Sequence, residues 1–577
     1  MSILLILFKT TDRKEEAKMK KLLTMIGVAA VAVGTALDAI ATELVTNGGF
    51  EDYTGAIPSS HYISTSASLY ANGWSGAYGL SEAGSAYFDS SVSPFEGSVS
   101  VHFNGSKEIY QSVDFPEDGL YEISFAYAPR NKANYAGGRV NAWIDGVKVG
   151  YADCDALTTR FRRCRMRVQV VAGTHTFILS HTLDHPVNKN NTPCSTVDDV
   201  SIVKVDDGDL VANGGFEDCV GTFSGIEAGF SDSIKVDAWK YEGGTGLATT
   251  NSNYLKYKTG SPYEGNVSLY FNGAHSVSQT VFVAEAGDYD ISFVYAPRHT
   301  SYYYNGRIRV VIDGEEVGDY ANCDKLTSTF RRYLLRTPIS EGLHVLQLKH
   351  TTENPADSSH TPCSVVDAVS IKAADDLLLN GNFDGGNVVA NSGGYSGSTA
   401  DGYSNPGWTV SGNAGLAKPG YPSFAPWVSP NLSPTGEYSL FMQTANYSYN
   451  GTTRTVDAAS AQQTFNVVTP GVYELRFSYA SRPYNNYKGG QIFARIYKGE
   501  GLEGELMWER FVIANSMTSF DEFVGNVKLY DPGKYTLQFY APQPEYSTTA
   551  ENERDSVIDN VSLGFHHKIK GSIISFL

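Results

Sequence analysis

The sequence predicts an all-β chain of three tandem β-sandwich domains, and three observations lead to that class. A block of residues returns three times at domain-sized intervals. Each copy contains short runs of alternating apolar and polar residues. Gly, Asn, Asp and Pro punctuate those runs, and no long stretch of the chain after residue 41 shows the 3.6-residue periodicity of an amphipathic helix. Composition agrees: 57 Gly and 37 Tyr stand against 7 Met in 577 residues, a balance that favours strands and turns.

The repeat opens with Leu44-Val45-Thr46-Asn47-Gly48-Gly49-Phe50-Glu51. It returns as Leu210-Val211-Ala212-Asn213-Gly214-Gly215-Phe216-Glu217 and as Leu377-Leu378-Leu379-Asn380-Gly381-Asn382-Phe383-Asp384. The Asn positions are 166 and 167 residues apart, too long for a solenoid turn and the size of a whole domain. A tryptophan follows in each copy, Trp74, Trp239 and Trp408. Such a recurring ring either packs in the core or stacks on a ligand. The segments 121–130, 289–298 and 473–482 alternate as half-buried strands, with Ile123, Phe125 and Tyr127 on one face. Asp145-Gly146 and Asp313-Gly314 mark hairpin turns. Each copy closes on 197–202, 366–371 or 558–563. The predicted domains are 42–205, 206–374 and 375–565, followed by a tail, 566–577. Linkers this short predict neighbours that touch.

The first 41 residues read as a leader. Lys20 and Lys21 precede an apolar run from Leu22 to Leu37, and Ala39-Ile40-Ala41 fits a small-x-small cleavage rule. Met19 is the expected start, which leaves residues 1–18 as an upstream segment. The expected location is therefore secreted, extracellular or at the cell surface. No later run is long and apolar enough to span a bilayer as a helix. The formal net charge is −18, so nucleic acid is not an expected partner.

The ordered set of opening motif, Gly-x-Trp, Tyr-x-Ile-Ser-Phe strand and closing Asp-x-Val-Ser-Ile resembles the galactose-binding-like jelly rolls. Within that group it is most similar to carbohydrate-binding modules of the family 4/9 type. The resemblance implies a jelly-roll sandwich in three copies. It also implies a structural calcium (Ca2+) near the first and last strands of each, held by Glu51 with Asp198, Glu217 with Asp367, and Asp384 with Asp559. Alternation independently turns Asp198, Asp367 and Asp559 towards the core, where a carboxylate needs a cation or several donors. An Asp that caps backbone amides or meets an Arg would look the same.

Cys154 and Cys194 are 40 residues apart, as are Cys323 and Cys363, and the third copy lacks both members. Residues kept or lost together predict two disulfides in an oxidising compartment. Cys164 and Cys219 have no counterparts, and either pair with each other or remain free thiols.

For ligand binding the sequence offers aromatic loops after the long strand. These contain Tyr135, Tyr303 and Tyr487, with Arg130, Arg298 and Arg482 at their mouths and Gln111, Gln279 and Gln463 earlier in each copy. An Arg fork suits vicinal hydroxyls or a carboxylate, although a thrice-repeated Arg is equally an ion-pair partner. Trp427 does not recur and is a stacking candidate. His175, His181, His344 and His350 lack matched metal spacing and read as structural. No nucleophile elbow, zinc-helix motif or phosphate loop is present, so no enzyme is expected. The expectation is a secreted, non-catalytic carbohydrate-binding protein with three modules and multivalent binding. The alternative is a surface or matrix protein whose repeats bind other proteins.

Overall fold

The computed structural model describes residues 42–567, except for segments 65–68, 89–93, 131–134, 136, 155–160, 184–191, 222–225, 231–233, 256–259, 299–302, 324–329, 353–360, 375, 387–394, 398–404, 418–437, 445–446, 450–451, 455–457, 483–488, 517–518 and 543–554. The leader and the candidates Trp427 and Tyr487 lie outside the described residues.

Among the described residues there is no α-helix, and the strands form three successive jelly-roll sandwiches. Each unit faces a six-stranded antiparallel sheet with a five-stranded one, and the strand order is the same in all three. In the first unit the five-stranded sheet runs, edge to edge, Ser75–Ala77, Lys107–Phe115, Gly173–Thr182, Gly138–Ile144, Val147–Cys154. The second repeats this as Lys240–Glu242, Ser276–Val283, Gly342–Thr351, Gly306–Ile312, Glu315–Cys323. The third repeats it as Thr409–Ser411, Ala459–Val467, Gly533–Ala541, Gly490–Lys498, Glu505–Ala514. The inner faces meet in three separate cores, one per unit.

The opening motif is a clasp. Asn47, Asn213 and Asn380 adopt positive φ, as do Phe50, Phe216 and Phe383, whose rings are fully buried. The first motif glycine is required by close approach. A Cβ on Gly48, Gly214 or Gly381 would sit 1.9, 1.9 or 1.7 Å from the carbonyl oxygen of Val200, Val369 or Val561 in the closing strand. Just before the motif, Glu43, Asp209 and Asp376 accept the backbone N–H of Ile202, Ile371 and Leu563, pinning the last strand to the first segment. The three tryptophans belong to this clasp. Their indole N–H groups donate to the carbonyls of Asn47, Asn213 and Asn380 at 2.9, 2.9 and 3.0 Å, and their rings are buried.

The long strand Gly119–Pro129 departs from the half-buried reading: nearly every residue in it is buried. Its outer face is covered because Phe88, Phe95 and Phe161 fold over Ala126 and Ala128. Tyr254, Leu255 and Tyr270 cover Ala296 in the second unit. Small residues at these positions make room for a second layer.

Between the first two units, Phe282 is buried against the core of the first, with Leu343 and Ala284 beside it. Arg165 bridges Glu122 of the first unit to Asp237 of the second. Arg167 holds the linker through Asp207 and the carbonyl of Asp209, and Arg336 repeats that hold on the carbonyls of Asp376 and Leu378. In the third unit Asn526 stands at this register. Phe282→Ala should cost about 3 kcal/mol through the cavity it leaves between units. Chemical denaturation of the full chain will read this as an earlier transition for the first two units.

Candidate ligand-binding faces

The five-stranded sheet of each unit turns alternate residues away from the core; in the second unit Phe282 and Leu343 on this side pack against the first unit, and the remainder is an outer face. In the first unit the face carries Tyr110, 40% exposed, with Trp143 and Tyr151. The Arg139 guanidinium lies 3.9 Å from the Tyr151 ring centre, and its Nε donates to Asp153 at 2.7 Å. Asp153 also receives Lys240 of the second unit at 3.1 Å, and these two cations hold its carboxyl below the usual range although burial opposes them. Lys148 sits over Trp143, whose indole N–H donates to Ser180.

In the second unit Tyr320 takes the place of Tyr151. Arg307 lies 4.1 Å and Arg309 5.3 Å from its ring centre. Arg309 pairs with Glu316 at 3.0 Å, and Lys349 approaches the same carboxylate at 3.7 Å.

The third face is the most aromatic. Phe493 and Phe511 lie with ring centres 5.7 Å apart, Tyr540 flanks Phe493 at 6.5 Å, and Phe511 is 59% exposed. Arg495 lies over Phe493 and Tyr540 and pairs with Glu509 at 2.6 Å. Gln538 forms part of the floor, donating to Ser460 and accepting from the Tyr497 hydroxyl. Gln462 and Gln491 share the outer register. The arrangement combines ring faces with planar amides and a guanidinium. The sequence reading missed these faces and looked to the loops. The available signal was the alternate-residue pattern Phe493, Arg495, Tyr497.

The loop candidates are accounted for differently. Gln111, Gln279 and Gln463 are buried, and each side-chain amide both donates to and accepts from the backbone of Thr46, Ala212 or Leu379. Their hydrogen-bonding capacity serves the clasp, not a cleft. Arg130 is brought together with Tyr135, 4.3 Å from the ring centre, but Tyr87 covers its other side at 4.9 Å and its Nε donates to Ala86 O. Arg298 lies between Tyr303 and Tyr254 in the same way. The stack continues inward as Tyr87 on His102 and Tyr254 on Tyr270. Arg482 is an ion-pair partner, donating to the fully buried Asp555 at 2.9 Å.

No disulfide joins the six cysteines in this structure, so the two expected disulfides find no support in it. Cys194 and Cys363 open the closing strands and point their thiols at Asn104 and Asn272. Cys154 and Cys323 end strands of the other sheet. Burial pushes the Cys164 thiol up.

The carboxylates expected around calcium flank one loop in each unit. Glu51 accepts the N–H groups of Ser98 and Val99, and Asp198 accepts those of Phe95, Glu96 and Asp199 and the Ser100 hydroxyl. Glu217 and Asp367 repeat this on 263–268. In the third unit Asp384 accepts Tyr438 N–H and Asp559 accepts the Ser439 hydroxyl. Burial pushes Asp198 and Asp367 up to about 7 and Asp559 up to about 8. Hydrogen-bond donors converge on these carboxylates. Among the described residues no three metal-ligating side chains cluster. As placed, the residues clamp a loop. The histidines are similarly satisfied: His175 and His344 meet Asp145 and Asp313, and His181 and His350 bridge a backbone carbonyl to Ser195 or Ser364.

No family model and no curated protein matches the chain. Among solved structures it is similar to a family 61 carbohydrate-binding module in complex with β-1,4-galactotriose, at 15% identity and TM-score 0.21 over 33% of this chain and all of the module. It is also similar to the tandem family 22 modules of Paenibacillus barcinonensis Xyn10C, at 13% identity and TM-score 0.20 over 61% of this chain and 99% of that one. A third similarity is to a Paenibacillus xanthan lyase, at 12% identity and TM-score 0.23, spanning 88% of this chain and 36% of the lyase.

Proposed function

We propose that the chain is a non-catalytic carbohydrate-binding protein that works outside the cell and presents several sugar-binding faces in series. The observation that carries this reading is the third outer face. Phe493, Tyr540 and Phe511 offer rings of a size to stack on pyranoses, and Arg495, Glu509 and the glutamines beside them offer fixed donors and acceptors for hydroxyls. Faces on successive units raise overall binding to a polymer when its length spans them. The test is affinity electrophoresis and calorimetry of the full chain against a panel of neutral polysaccharides. Phe493→Ala and Tyr540→Ala should each weaken binding to the preferred polymer about tenfold or more, as loss of a central aromatic anchor does, while the melting temperature stays close to wild type. Absence of binding across the panel, with a protein co-purifying instead, would replace this reading with an adhesion role.

A further inference from the structure

The strand order is the same in every unit, so the two joints between units can be compared position by position. At the first joint Phe282 of the second unit is buried against the core of the first, with Leu343 and Ala284 packed beside it. Two ion pairs cross the joint, Arg165 with Asp237 at 3.4 Å and Lys240 with Asp153 at 3.1 Å. The cavity left there is about 140 Å3, lined in part by Asp153, Arg165, Trp239 and Lys240.

At the second joint the residues that make these contacts are replaced. Asn466 follows the clasp residue Gln463 at the distance at which Phe282 follows Gln279. Asn466 is exposed, and the exposed Lys534 stands opposite it as Leu343 stands opposite Phe282. Leu334 holds the strand position of Arg165, and Pro406 holds that of Asp237, two residues before the tryptophan. Asn322 and Thr409 stand at the positions of Asp153 and Lys240. Val468, the counterpart of Ala284, is 73% exposed. The joint opens as a cleft of about 710 Å3, lined in part by Asp288, Arg336, Asn466, Val468 and Phe565. What the two joints share is the grip on the linker, by Arg167 on the carbonyl of Asp209 and by Arg336 on those of Asp376 and Leu378.

We propose that the first two units form one rigid body and that the third turns against them on a hinge, with Arg336 as its pivot. Relative motion is the default between domains unless an apolar interface suppresses it. The first joint has such an interface, and the second has an asparagine and a lysine in its place. A guanidinium on two linker carbonyls fixes a point and leaves the angle of the unit beyond it free, which is how a hinge concentrates motion in a few connecting residues. The aromatic face of the third unit can then meet a polymer at angles closed to the first two. The hinge itself follows from the joints and does not depend on the carbohydrate reading.

The experiment uses the full chain, isotope-labelled, and reads the rotational correlation time of each unit from backbone amide relaxation. The first two units are expected to share one long correlation time and the third to show a shorter one. A single time common to all three units overturns the inference. The variant Phe282→Asn/Leu343→Lys/Lys240→Thr gives the first joint the residues of the second. The first unit's correlation time should then fall, while dispersed amide signals show that it is still folded. A first unit that is folded and still tumbles with the second overturns the assignment of rigidity to these residues. The wild-type comparison stands whether or not this variant folds.

Discussion

Replacing Asp555 with alanine should destabilise the third unit by about 3–5 kcal/mol, because it takes a buried carboxylate away from a buried guanidinium. Asp555 is fully buried and the Arg482 side chain is 8% exposed, with Nη1 and Oδ2 2.9 Å apart. Removing one member of such a pair takes counter-charge from a group in a medium that solvates it poorly, which costs far more than the pair itself contributes. Replacing both, as in Arg482→Leu/Asp555→Ala, should recover most of the loss. The other units suggest a gentler substitution. Cys194 and Cys363 occupy this register, each with its thiol beside Arg130 or Arg298, so Asp555→Cys should cost less than Asp555→Ala. Urea denaturation of the full chain, followed by fluorescence, reads the third transition directly. A loss below about 1 kcal/mol for Asp555→Ala would show that the pair is not desolvated.

The second large effect is acid sensitivity confined to the first two units. Burial lowers His102 to about 3, with the nearby Arg130 charge adding to it, and burial lowers His350 to about 4. Each is neutral in the fold and takes up a proton on unfolding near its ordinary value of 6.5. The stability each contributes is present above pH 6.5 and is lost as pH falls towards the folded value. The stability gap between wild type and His350→Gln should therefore narrow by about 3 kcal/mol between pH 7.5 and pH 4, since only the wild type carries this proton linkage. His102→Gln should do the same for the first unit. The third unit has Phe441 and Ala541 at the two registers, and its transition should show neither effect. A gap that is constant across this range would mean that the two imidazoles keep their ordinary pKa in the fold.

These two effects mark the line between what the chain states outright and what assembly decides. The repeated Asn-Gly-Gly-Phe block, the alternating runs and the Asp-Gly turns fix strands and three-fold repetition, because each is a local property of spacing and backbone preference. The inward direction of Asp198, Asp367 and Asp559 was also legible, for alternation alone dictates it. Their partners were not. The amides that clamp Asp198 come from residues about a hundred positions earlier, and sequence spacing cannot distinguish a carboxylate meeting N–H groups from one meeting a cation.

The same limit applies to the glutamines, the arginines and the cysteines. Gln111 repeats because the clasp needs its amide, whereas Arg482 meets Asp555 at the place where Arg130 and Arg298 meet tyrosine rings. Phe511 and Tyr540 meet around Phe493 only because Gly490–Lys498 lies between Glu505–Ala514 and Gly533–Ala541. Sequence by itself determined the strand content, the repeat and which side of each strand faces in. Tertiary structure decided which polar and aromatic groups come within reach of one another, since cross-strand neighbours are set by sheet order and register, and these join residues far apart along the chain.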